Sequence, residues 1–388
     1  MSQQARPRPA VALLVETSNR YSRELVHGVR AWIQAHRPWA LHLTEQGRGD
    51  LPPPWLASWE GRGIIARIEN RRIEKAVVAK KLPVVSVSAS GLAPNLPTVI
   101  SDSGAVAKMA ADHLLERGFR NFAYCGDARF AWSKAHGMHF AQHVQEEGFK
   151  CSMFPARKNH FADWALEQRV LASWLDSLPK PVGIMTCYDI RGQQVLDVCK
   201  RMGLRVPDDV GVIGQHNDIL LCELCDPPLS SVIPNPREAG YQAAALLDKM
   251  MRSRKVRGGV YPIAPTGVAT RLSTDLVASD DPKLAKAMRF IRANALRGIG
   301  VDDVLRQVPM SRTLLERRFR RQFGRSPYEA IQSLRFRHTE SLLLGTNLSV
   351  GEVAEQGGFH SAEYFSAIFK KRYGLSPRAF RDKARTAR

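Results

Sequence analysis

Two stretches near the carboxyl end of the chain, SRTLLERRFRRQFGRSP (311–327) and SAEYFSAIFKKRYGLSP (361–377), follow nearly the same pattern fifty residues apart. Serine, an apolar residue, phenylalanine, glycine, serine and proline recur in register, at Ser311/Ser361, Leu315/Phe365, Phe319/Phe369, Gly324/Gly374, Ser326/Ser376 and Pro327/Pro377. Apolar residues four positions apart lie on one face of a helix. Each stretch therefore predicts a helix that packs through an aromatic-rich stripe.

Each predicted helix is entered and left in the same way. A short amphipathic segment and a tight turn precede it, VDDVLRQVPMS (301–311) in the first copy and VGEVAEQGGFHS (350–361) in the second. Glycine then stops the helix, and Ser-Pro starts the next one, with Glu329 completing a capping box in the first copy. This order predicts two helix-turn-helix units joined by a rigid helix over 327–344, which can reach successive major grooves about 34 Å apart. The alternative is a helical bundle that does not touch DNA, and two matching copies in a basic region argue against it.

The polar faces of the two second helices carry the candidate DNA-contacting side chains. These are Arg312, Thr313, Glu316, Arg317 and Arg320 in the first copy, and Ser361, Ala362, Glu363, Ser366 and Lys370 in the second. Arginine suits guanine O6/N7 or phosphate, glutamate can accept from cytosine N4, and Ala362 can meet a thymine methyl. Because the second helix offers no arginine to the bases, we expect the first unit to contribute more sequence discrimination.

The net charge supports a polyanionic partner. The chain has 388 residues and a formal net charge of +20, from 57 basic and 37 acidic residues. Residues 280–388 hold 22 Lys/Arg and 11 Asp/Glu, or +11, and the remaining residues hold 35 and 26, or +9. A basic block of this density indicates nucleic acid more often than membrane, although a merely soluble basic surface would have the same composition.

Neither a membrane span nor a secretory signal is expected. No run approaches the roughly 18 apolar residues that a membrane helix needs. Residues 1–9 predict a disordered tail that enters a buried strand, since the apolar run after them is too short for a signal-peptide core. The scattered cysteines suit reduced, buried thiols in the cytosol. Cys222 and Cys225 form a CxxC without a second pair, so we expect no metal and no cofactor.

The first 272 residues alternate short apolar strands with amphipathic helices. Probable strands are 10–16, 63–68, 84–89, 121–127, 182–188 and 210–218, and probable helices are 23–36, 73–81, 103–117, 161–178, 192–202 and 236–251. Continuous apolar strands separated by helices indicate parallel α/β sheets buried on both faces. About ten strands exceed one sheet of the mononucleotide-binding type and suggest two similar lobes.

The residues that follow these strands are the candidate ligand contacts, because open parallel sheets bind ligands beyond the carboxyl ends of their strands. The set includes Glu16, Arg67, Asp189, Arg191, His216, Asn217 and Asp218, with Trp132 nearby. Neither GxGxxG nor GxxxxGK[ST] is present, which argues against dinucleotides and nucleoside triphosphates. Planar polar groups and a flat aromatic ring suit a ligand rich in hydroxyls. Taken alone, Asp189 would more often be a helix N-cap.

Three stretches of this region carry a family resemblance. SDSGAVAKMAADHLLERGFRNFAYCGD (101–127), PVGIMTCYDIRGQQVLDVCKRMGLRVPDDVGVIGQHND (181–218) and LCDPPLSSV (224–232) resemble the effector domain of LacI/GalR repressors and periplasmic sugar-binding proteins. The resemblance implies two lobes joined by crossing strands, a sugar-sized ligand contacted by Asp189 and Arg191, and dimerisation. Histidine at 216 departs from the family's aspartate, and Lys134 and His136 stand where arginines are usual.

The last hundred residues resemble a second family. SLLLGTNLSVGEVAEQGGFHSAEYFSAIFKKRYGLSPRAFR (341–381) is similar to the AraC/XylS activators almost throughout, which implies a seven-helix double helix-turn-helix domain. Leu305 and Pro309 depart from the usual small residue and glycine of the first unit. A LacI-like sensor ahead of an AraC-like pair resembles the xylose-operon activators, which implies xylose as the effector.

The expected architecture is α/β plus all-α. It comprises a tail (1–9), a two-lobed periplasmic-binding-protein-like sensor (10–272), a linker (273–282) and a double helix-turn-helix DNA-binding domain (283–388). We expect a cytoplasmic, nucleoid-associated homodimer that binds operator DNA, engages RNA polymerase and activates a sugar-catabolism operon. A different sugar or a sugar acid remains open as the effector. An enzyme using Asp189, His216 and Asp127 is the distant alternative, without any accompanying nucleophile, metal or phosphate-loop pattern.

Overall fold

The computed structural model describes residues 8–47, 49–155, 163–275, 281–346 and 348–386. Chain contacts divide the protein into two units, Met1–Leu276 and Val277–Arg388. The strands are β1 (Ala10–Leu14), β2 (Ala40–Leu43), β3 (Gly63–Ala66), β4 (Val84–Ser86), β5 (Pro97–Ser101), β6 (Asn121–Cys125), β7 (Cys151–Met153), β8 (Val182–Thr186), β9 (Val210–Gln215), β10 (Ser230–Ile233), β11 (Gly259–Ile263) and β12 (Gly267–Ala269).

The α-helices of the first unit are α1 (Arg20–Ala35), α2 (Arg71–Val78), α3 (Ser103–Leu115), α4 (Ala131–Glu146), α5 (Trp164–Ser177), α6 (Asp189–Arg201), α7 (Ile219–Leu224) and α8 (Pro236–Met251). Those of the second unit are α9 (Pro282–Asn294), α10 (Val301–Gln307), α11 (Arg312–Phe323), α12 (Pro327–Gly345), α13 (Val350–Gln356), α14 (Ala362–Tyr373) and α15 (Pro377–Thr386). The described residues of the second unit thus contain the seven α-helices that were expected.

Two sheets form the two lobes of the first unit. Their strand orders are β11-β5-β4-β3-β1-β2 and β12-β10-β9-β8-β6-β7, and only the β10–β12 pair is antiparallel among the described strands. The chain passes between the lobes at 101–103, 233–236 and 263–267, because α3 packs on the second sheet and α8 on the first. The two-lobed α/β architecture predicted from the alternating pattern is confirmed.

Local sequence explains most of these elements. The central strands β3, β8 and β9 are buried along their whole length, as continuous apolar runs demand. Asparagine or aspartate side chains cap the amino ends of several helices, at Asn19, Asn70, Asp102, Asp163 and Asn235. Helices α1 and α8 approach closely at Gly28, where a Cβ would lie 1.9 Å from the Arg237 carbonyl oxygen.

Some details differ from expectation. Helix α4 was not predicted, since Phe130 at its start makes no side-chain cap and Gly137 interrupts its pattern. Leu272–Thr274 form a 3-10 helix whose Ser273 and Thr274 are fully buried, so the first unit extends beyond the expected start of the linker. Part of the predicted tail (1–7), part of the linker (276–280) and the start of the helix predicted over 161–178 lie outside the described residues.

Each half of the second unit has its own apolar core, and α12 contributes to both. Ala330 and Ile331, near its amino end, pack with Leu315 and Phe319 of the first helix-turn-helix. Further along the same helix, residues such as Phe336 pack with the aromatic residues of α14 in the second. The aromatic stripes therefore face inward, as their spacing predicted, and α12 is shared by the two units.

Candidate ligand-binding cleft and nucleic-acid interface

A pocket that is open to solvent lies between the two lobes. It is lined by Tyr21, Arg67, Val87, Ala89, Ile100, Ser101, Val106, Trp132, His136, Gln215, His216, Val232 and Pro234. Strand ends and helix starts from both sheets contribute, as expected for open parallel sheets. The lining is mostly apolar with a few polar groups, which is the usual make-up of a small-molecule site.

Two polar atoms in the pocket wall lack a hydrogen-bond partner among the described residues. They are Nε1 of Trp132 and Oε1 of Gln215, on side chains of which 6% and 4% are exposed. The Gln215 amide nitrogen already contacts His136 Nδ1 at 3.2 Å. Buried polar atoms are nearly always paired in native proteins, and these two, a donor and an acceptor, belong to residues that line one pocket.

Aromatic rings form the opposing walls of this pocket. Trp132 stacks on Phe130 with ring centroids 5.2 Å apart, and Tyr21 of the other lobe lies 5.3 Å from His216. The indole is also 6.5 Å from the His216 ring. Flat apolar faces beside hydrogen-bonding edges suit a sugar ring, whose C–H face is apolar and whose rim carries hydroxyls.

Arg67 is the arginine that lines the pocket, and two carboxylates offset the charge of its guanidinium. Its Nε lies 2.7 Å from Glu69 Oε1 and 3.3 Å from Glu16 Oε1. Burial alone would lower the pKa of Arg67, but the Glu69 and Glu16 carboxylates outweigh burial and raise it. The Asn19 amide in turn donates to Glu16. This side of the pocket is therefore not a net cation.

The two residues that suggested an acidic ligand do not add positive charge to the pocket. Burial lowers the pKa of His136 to about 4, so its imidazole is neutral near pH 7. Lys134 is exposed and is not part of the pocket lining. A sugar acid would thus find little positive charge to offset its carboxylate.

His216 reaches the pocket through an unusual backbone turn. Its φ is 98° and that of Asn217 is 47°, both in the left-handed region that non-glycine residues seldom adopt. Such conformations cost energy and persist where the surrounding structure enforces them, commonly at ligand sites. Here the Asn217 backbone N–H donates to Ser231 Oγ at 3.0 Å, and the Asn217 side chain accepts from Arg271 at 2.8 Å.

Asp189, Asn217 and Asp218 lie behind this turn and not in the pocket lining. Asp189 accepts hydrogen bonds from the Asp218 backbone N–H at 2.8 Å and from Ser231 Oγ at 2.6 Å. It is the first residue of α6 but its side chain holds the neighbouring loop, so it is not the N-cap of that helix. Burial raises its pKa to about 7. These three residues shape the turn that presents His216.

Arg191, predicted as a ligand contact, lies inside its lobe and outside the pocket lining. Its side chain is fully buried, pairs with Glu167, hydrogen-bonds Gln194 at 2.8 Å and lies 4.9 Å above the Phe154 ring. Residue 191 is the third residue of α6, five positions after β8 ends at Thr186, and the helix turns its side chain into the lobe. Asp127 is likewise occupied, by Arg129 at 2.7 Å and the Tyr188 hydroxyl at 2.9 Å.

Sequence reasoning missed Tyr21, Ser101 and Gln215. Gln215 ends β9 and Ser101 ends β5, so both follow the same strand-end rule that found Arg67. Tyr21 lies in the first turn of α1, just after the loop that was considered, and its hydroxyl contacts Ser101 Oγ at 3.1 Å. The strand-end rule therefore extends to Ser101 and Gln215, whereas Tyr21, on a helix, carries no such signal in the sequence.

In the second unit, α11 and α14 begin and end alike. Ser311 and Ser361 accept hydrogen bonds from Leu314 and Tyr364 backbone N–H groups, at 3.3 and 3.1 Å. Gly324 and Gly374 end the helices with φ of 67° and 74°. The left-handed conformation at these helix ends favours glycine, which explains why the pattern repeats it.

The predicted DNA-contacting residues differ in exposure between the two helices. Arg312, Thr313, Glu316, Arg317 and Arg320 are exposed on α11. On α14, Glu363 and Lys370 are exposed, whereas Ser361, Ala362 and Ser366 are half-buried. Arg312 lies 3.0 Å from Asp302, an exposed pair that DNA could displace at little cost.

Further exposed basic residues on the same two helices were not singled out from the sequence. They are Arg318 and Arg321 on α11, and Lys371 and Arg372 on α14. Arg318 lies 3.1 Å from Asp281, and the Arg372 guanidinium lies 5.0 Å above the Phe336 ring. Their density could have been read from the sequence, but not which of them project from the surface.

Known proteins are similar to this chain along nearly its whole length. Family models match at residues 10–101 (XylR N-terminal domain), 111–274 (periplasmic binding protein-like domain) and 304–383 (helix-turn-helix domain). The xylose operon regulatory protein of Escherichia coli K12 is 33% identical over 383 residues, covering 97% of each chain. That of Haemophilus influenzae is 30% identical, covering 96% of this chain and 97% of its own.

The chain belongs to the xylose operon regulatory protein family. A solved structure described as the xylose-binding transcription activator XylR aligns with a TM-score of 0.76 and 32% identity, over 97% of this chain and 98% of that one. The protein is accordingly a sugar-responsive, DNA-binding transcription regulator, as predicted. No helix in the described ranges has the length and apolar character needed to cross a membrane.

Proposed function

We propose that this regulator responds to a neutral pentose, xylose, bound in the cleft between the lobes. The observation that carries the proposal is the pair of buried, unpartnered atoms, Trp132 Nε1 and Gln215 Oε1, on two residues that line one pocket. The charge-balanced Arg67 favours a neutral ligand over a sugar acid. The names of the relatives from Escherichia coli and Haemophilus influenzae support xylose in particular.

Within the cleft, we assign Arg67, Trp132, Gln215 and His216 to direct ligand contact. Glu16 orients Arg67 through their ion pair. Asp189, Asn217 and Asp218 hold the turn that presents His216. Lys134 and Arg191 are not assigned to the ligand, because one is exposed outside the lining and the other is buried in a separate ion pair.

On the DNA side, α11 and α14 are the two recognition helices. Arg312, Arg317 and Arg320 contact guanine or phosphate, and Thr313, Glu316 and Glu363 contact bases of the same or the neighbouring step. Ser361, Ala362 and Ser366 supply closer, uncharged contacts in the second groove, and Lys370 contacts phosphate. The protein acts as a homodimer that recruits RNA polymerase and activates a sugar-catabolism operon. It is located in the cytoplasm, in association with the nucleoid.

Sugar controls DNA binding by favouring one placement of the DNA-binding units, with 273–282 as the connection. A ligand shifts such an equilibrium only by binding one state more tightly. Bound DNA must then change the affinity for sugar, and bound sugar must change the affinity for DNA by the same factor. We infer no enzymatic role for the cleft, because Arg129 pairs with the Asp127 carboxylate and the Ser231 hydroxyl donates to that of Asp189.

A ligand screen by thermal shift tests the proposal, since a ligand that binds only the native state stabilises it. The full chain is heated with xylose, other pentoses, hexoses and xylonate, and then assayed for DNA affinity with each hit. We expect xylose to raise the midpoint most and xylonate to have no effect. A shift by xylonate but not by xylose would contradict the assignment of a neutral sugar.

A further inference from the structure

The two helix-turn-helix units touch each other directly, besides sharing α12. The contact, here called the junction, joins the segment Ala295–Ile299 before α10 to the turn Gly358–Phe359 before α14, with Arg335 of α12 between them. Only 4% of the Arg335 side chain is exposed. The sequence suggested that α12 alone would set the spacing of the recognition helices.

Arg335 binds both sides of the junction. Its Nε donates to the Ala295 carbonyl oxygen at 2.8 Å, and its Nη2 donates to the Ile299 carbonyl oxygen at 2.7 Å. Its guanidinium carbon lies 5.6 Å from the centre of the Phe359 ring. Ala295 caps the carboxyl end of α9, where the helix dipole favours a cation.

The chemistry of this site needs arginine. Burial lowers the pKa of Arg335, and in the part of the chain that the structure describes no carboxylate forms an ion pair with it. A planar guanidinium can span two carbonyl groups in fixed directions and still stack on a ring, whereas a lysine ammonium is a single point of charge. Arg335 thus holds a fixed geometry across the junction.

Gly358, in the second helix-turn-helix unit, packs closely against the backbone of Ala295 and Leu296. Its φ is 72°, and a Cβ there would lie 2.6 Å from the Leu296 carbonyl oxygen and 3.0 Å from that of Ala295. Nearby, the hydroxyls of Tyr328 on α12 and Tyr364 on α14 lie 3.0 Å apart. Backbone therefore meets backbone between the units, and α14 is tied to α12 at a second point.

We propose that Arg335 and Gly358 are positioning residues that fix the spacing of the two recognition helices, and so the spacing of the DNA elements that the protein accepts. The proposal rests on the assignment of α11 and α14 to DNA. Adding one base pair between two major-groove sites moves and rotates the second site relative to the first. A rigid pair cannot follow, so it must lose one of its two sets of contacts.

The test begins with DNA selected by the wild-type full chain from a random pool. Footprinting locates the two contacted elements, and one or two base pairs are then inserted between them. We expect the insertion to weaken wild-type binding at least about tenfold, because simultaneous engagement is lost. Failure to select any DNA would refute the assignment of α11 and α14, whereas selection followed by tolerance of the insertion would refute the junction proposal alone.

Arg335→Lys and Gly358→Ala then loosen the junction from its two sides. Each should weaken binding to the selected spacing about tenfold and reduce the penalty of the insertion to about twofold. Arg306→Lys, at an exposed arginine on α10, and Gly351→Ala, where a Cβ meets nothing closer than 3.8 Å, are the matched controls and should keep the wild-type spacing preference.

Circular dichroism and thermal unfolding establish that the variants are folded. A folded Arg335→Lys or Gly358→Ala protein that retains the full spacing penalty would overturn the proposal. Loss of the helical transition in both variants would also overturn it, because the junction would then hold each unit's fold and not the distance between them.

Discussion

The sensor unit and the DNA-binding unit present their functional groups in opposite ways. The cleft gathers Tyr21, Arg67, Trp132 and Gln215 from distant parts of the chain and balances its one lining guanidinium with carboxylates. In the DNA-binding unit, the functional groups of each helix, α11 or α14, come from consecutive turns of that one helix, and the basic side chains among them are exposed. We expect a ligand to bind the cleft by pairing with polar groups and DNA to bind the helices through their net charge, so the two regions should respond differently to the same perturbation.

The salt concentration should have the most different effects on the two regions, measured as DNA affinity and sugar affinity. Raising the salt from about 50 to about 200 mM should weaken DNA binding on the order of 10³-fold, since several phosphates release counterions, and should change sugar binding less than about twofold. Fluorescence anisotropy with labelled DNA and calorimetry with xylose measure the two affinities. Equal salt sensitivity of both would contradict the distinction between a balanced cleft and a charged surface.

Removing the indole of Trp132 should have the next largest effect, confined to the cleft. Trp132→Ala should weaken xylose binding by about 2–4 kcal/mol, because both the flat wall and the unpartnered N–H are lost. Trp132→Phe keeps the wall and should lose only about 1 kcal/mol. Trp164→Ala, at an exposed tryptophan on α5, is the matched control and should bind xylose as the wild type does.

Much of the second unit and less of the cleft could be predicted from the sequence. Helix-turn-helix units are local, and their caps at Ser311, Ser326 and Ser361 and their stops at Gly324 and Gly374 lie within a few residues of what they control. The cleft depends on which strand ends meet across the two sheets. The strand-end rule named Arg67 and His216, which line the pocket, but could not tell that the Arg191 side chain turns into its lobe.

Two other features also lay beyond the sequence. The left-handed turn at His216 and Asn217 contains no glycine, the residue that usually indicates such a conformation in a sequence. The junction at Arg335 depends on carbonyl groups 36 and 40 residues away, which no local pattern encodes. Every residue has a backbone carbonyl group, so a hydrogen bond to that group does not restrict which residue type provides it. Such a bond therefore cannot be predicted from the sequence.

The buried histidine of the cleft gives a pH-dependent prediction for the sensor unit. The pKa of His136 falls to about 4 in the folded protein, from 6.5, so stability is lost as the pH falls from 6.5 towards 4. The loss should approach about 3 kcal/mol and should be smaller in His136→Gln. Thermal unfolding across this range measures it, and identical pH profiles for the two proteins would contradict a buried, neutral His136.

The smallest expected effects distinguish the two recognition helices. Arg317→Ala should cost about 1–3 kcal/mol at one base position and relax the preference there. Lys370→Ala should weaken binding to all sequences by similar, smaller amounts, as loss of a phosphate contact does. Binding to a panel of single-base variants of the selected DNA measures both. A uniform loss for Arg317→Ala would argue against base contact from α11.

The central claim is that two matched helices occupy neighbouring major grooves of one DNA duplex. Methylation interference with the full chain tests it directly, because methyl groups at guanine N7 block the major groove. We predict two clusters of interfering guanines, centred about one helical turn or 34 Å apart on the same face of the DNA. A single cluster, or no interference on DNA bound in low salt, would contradict the account.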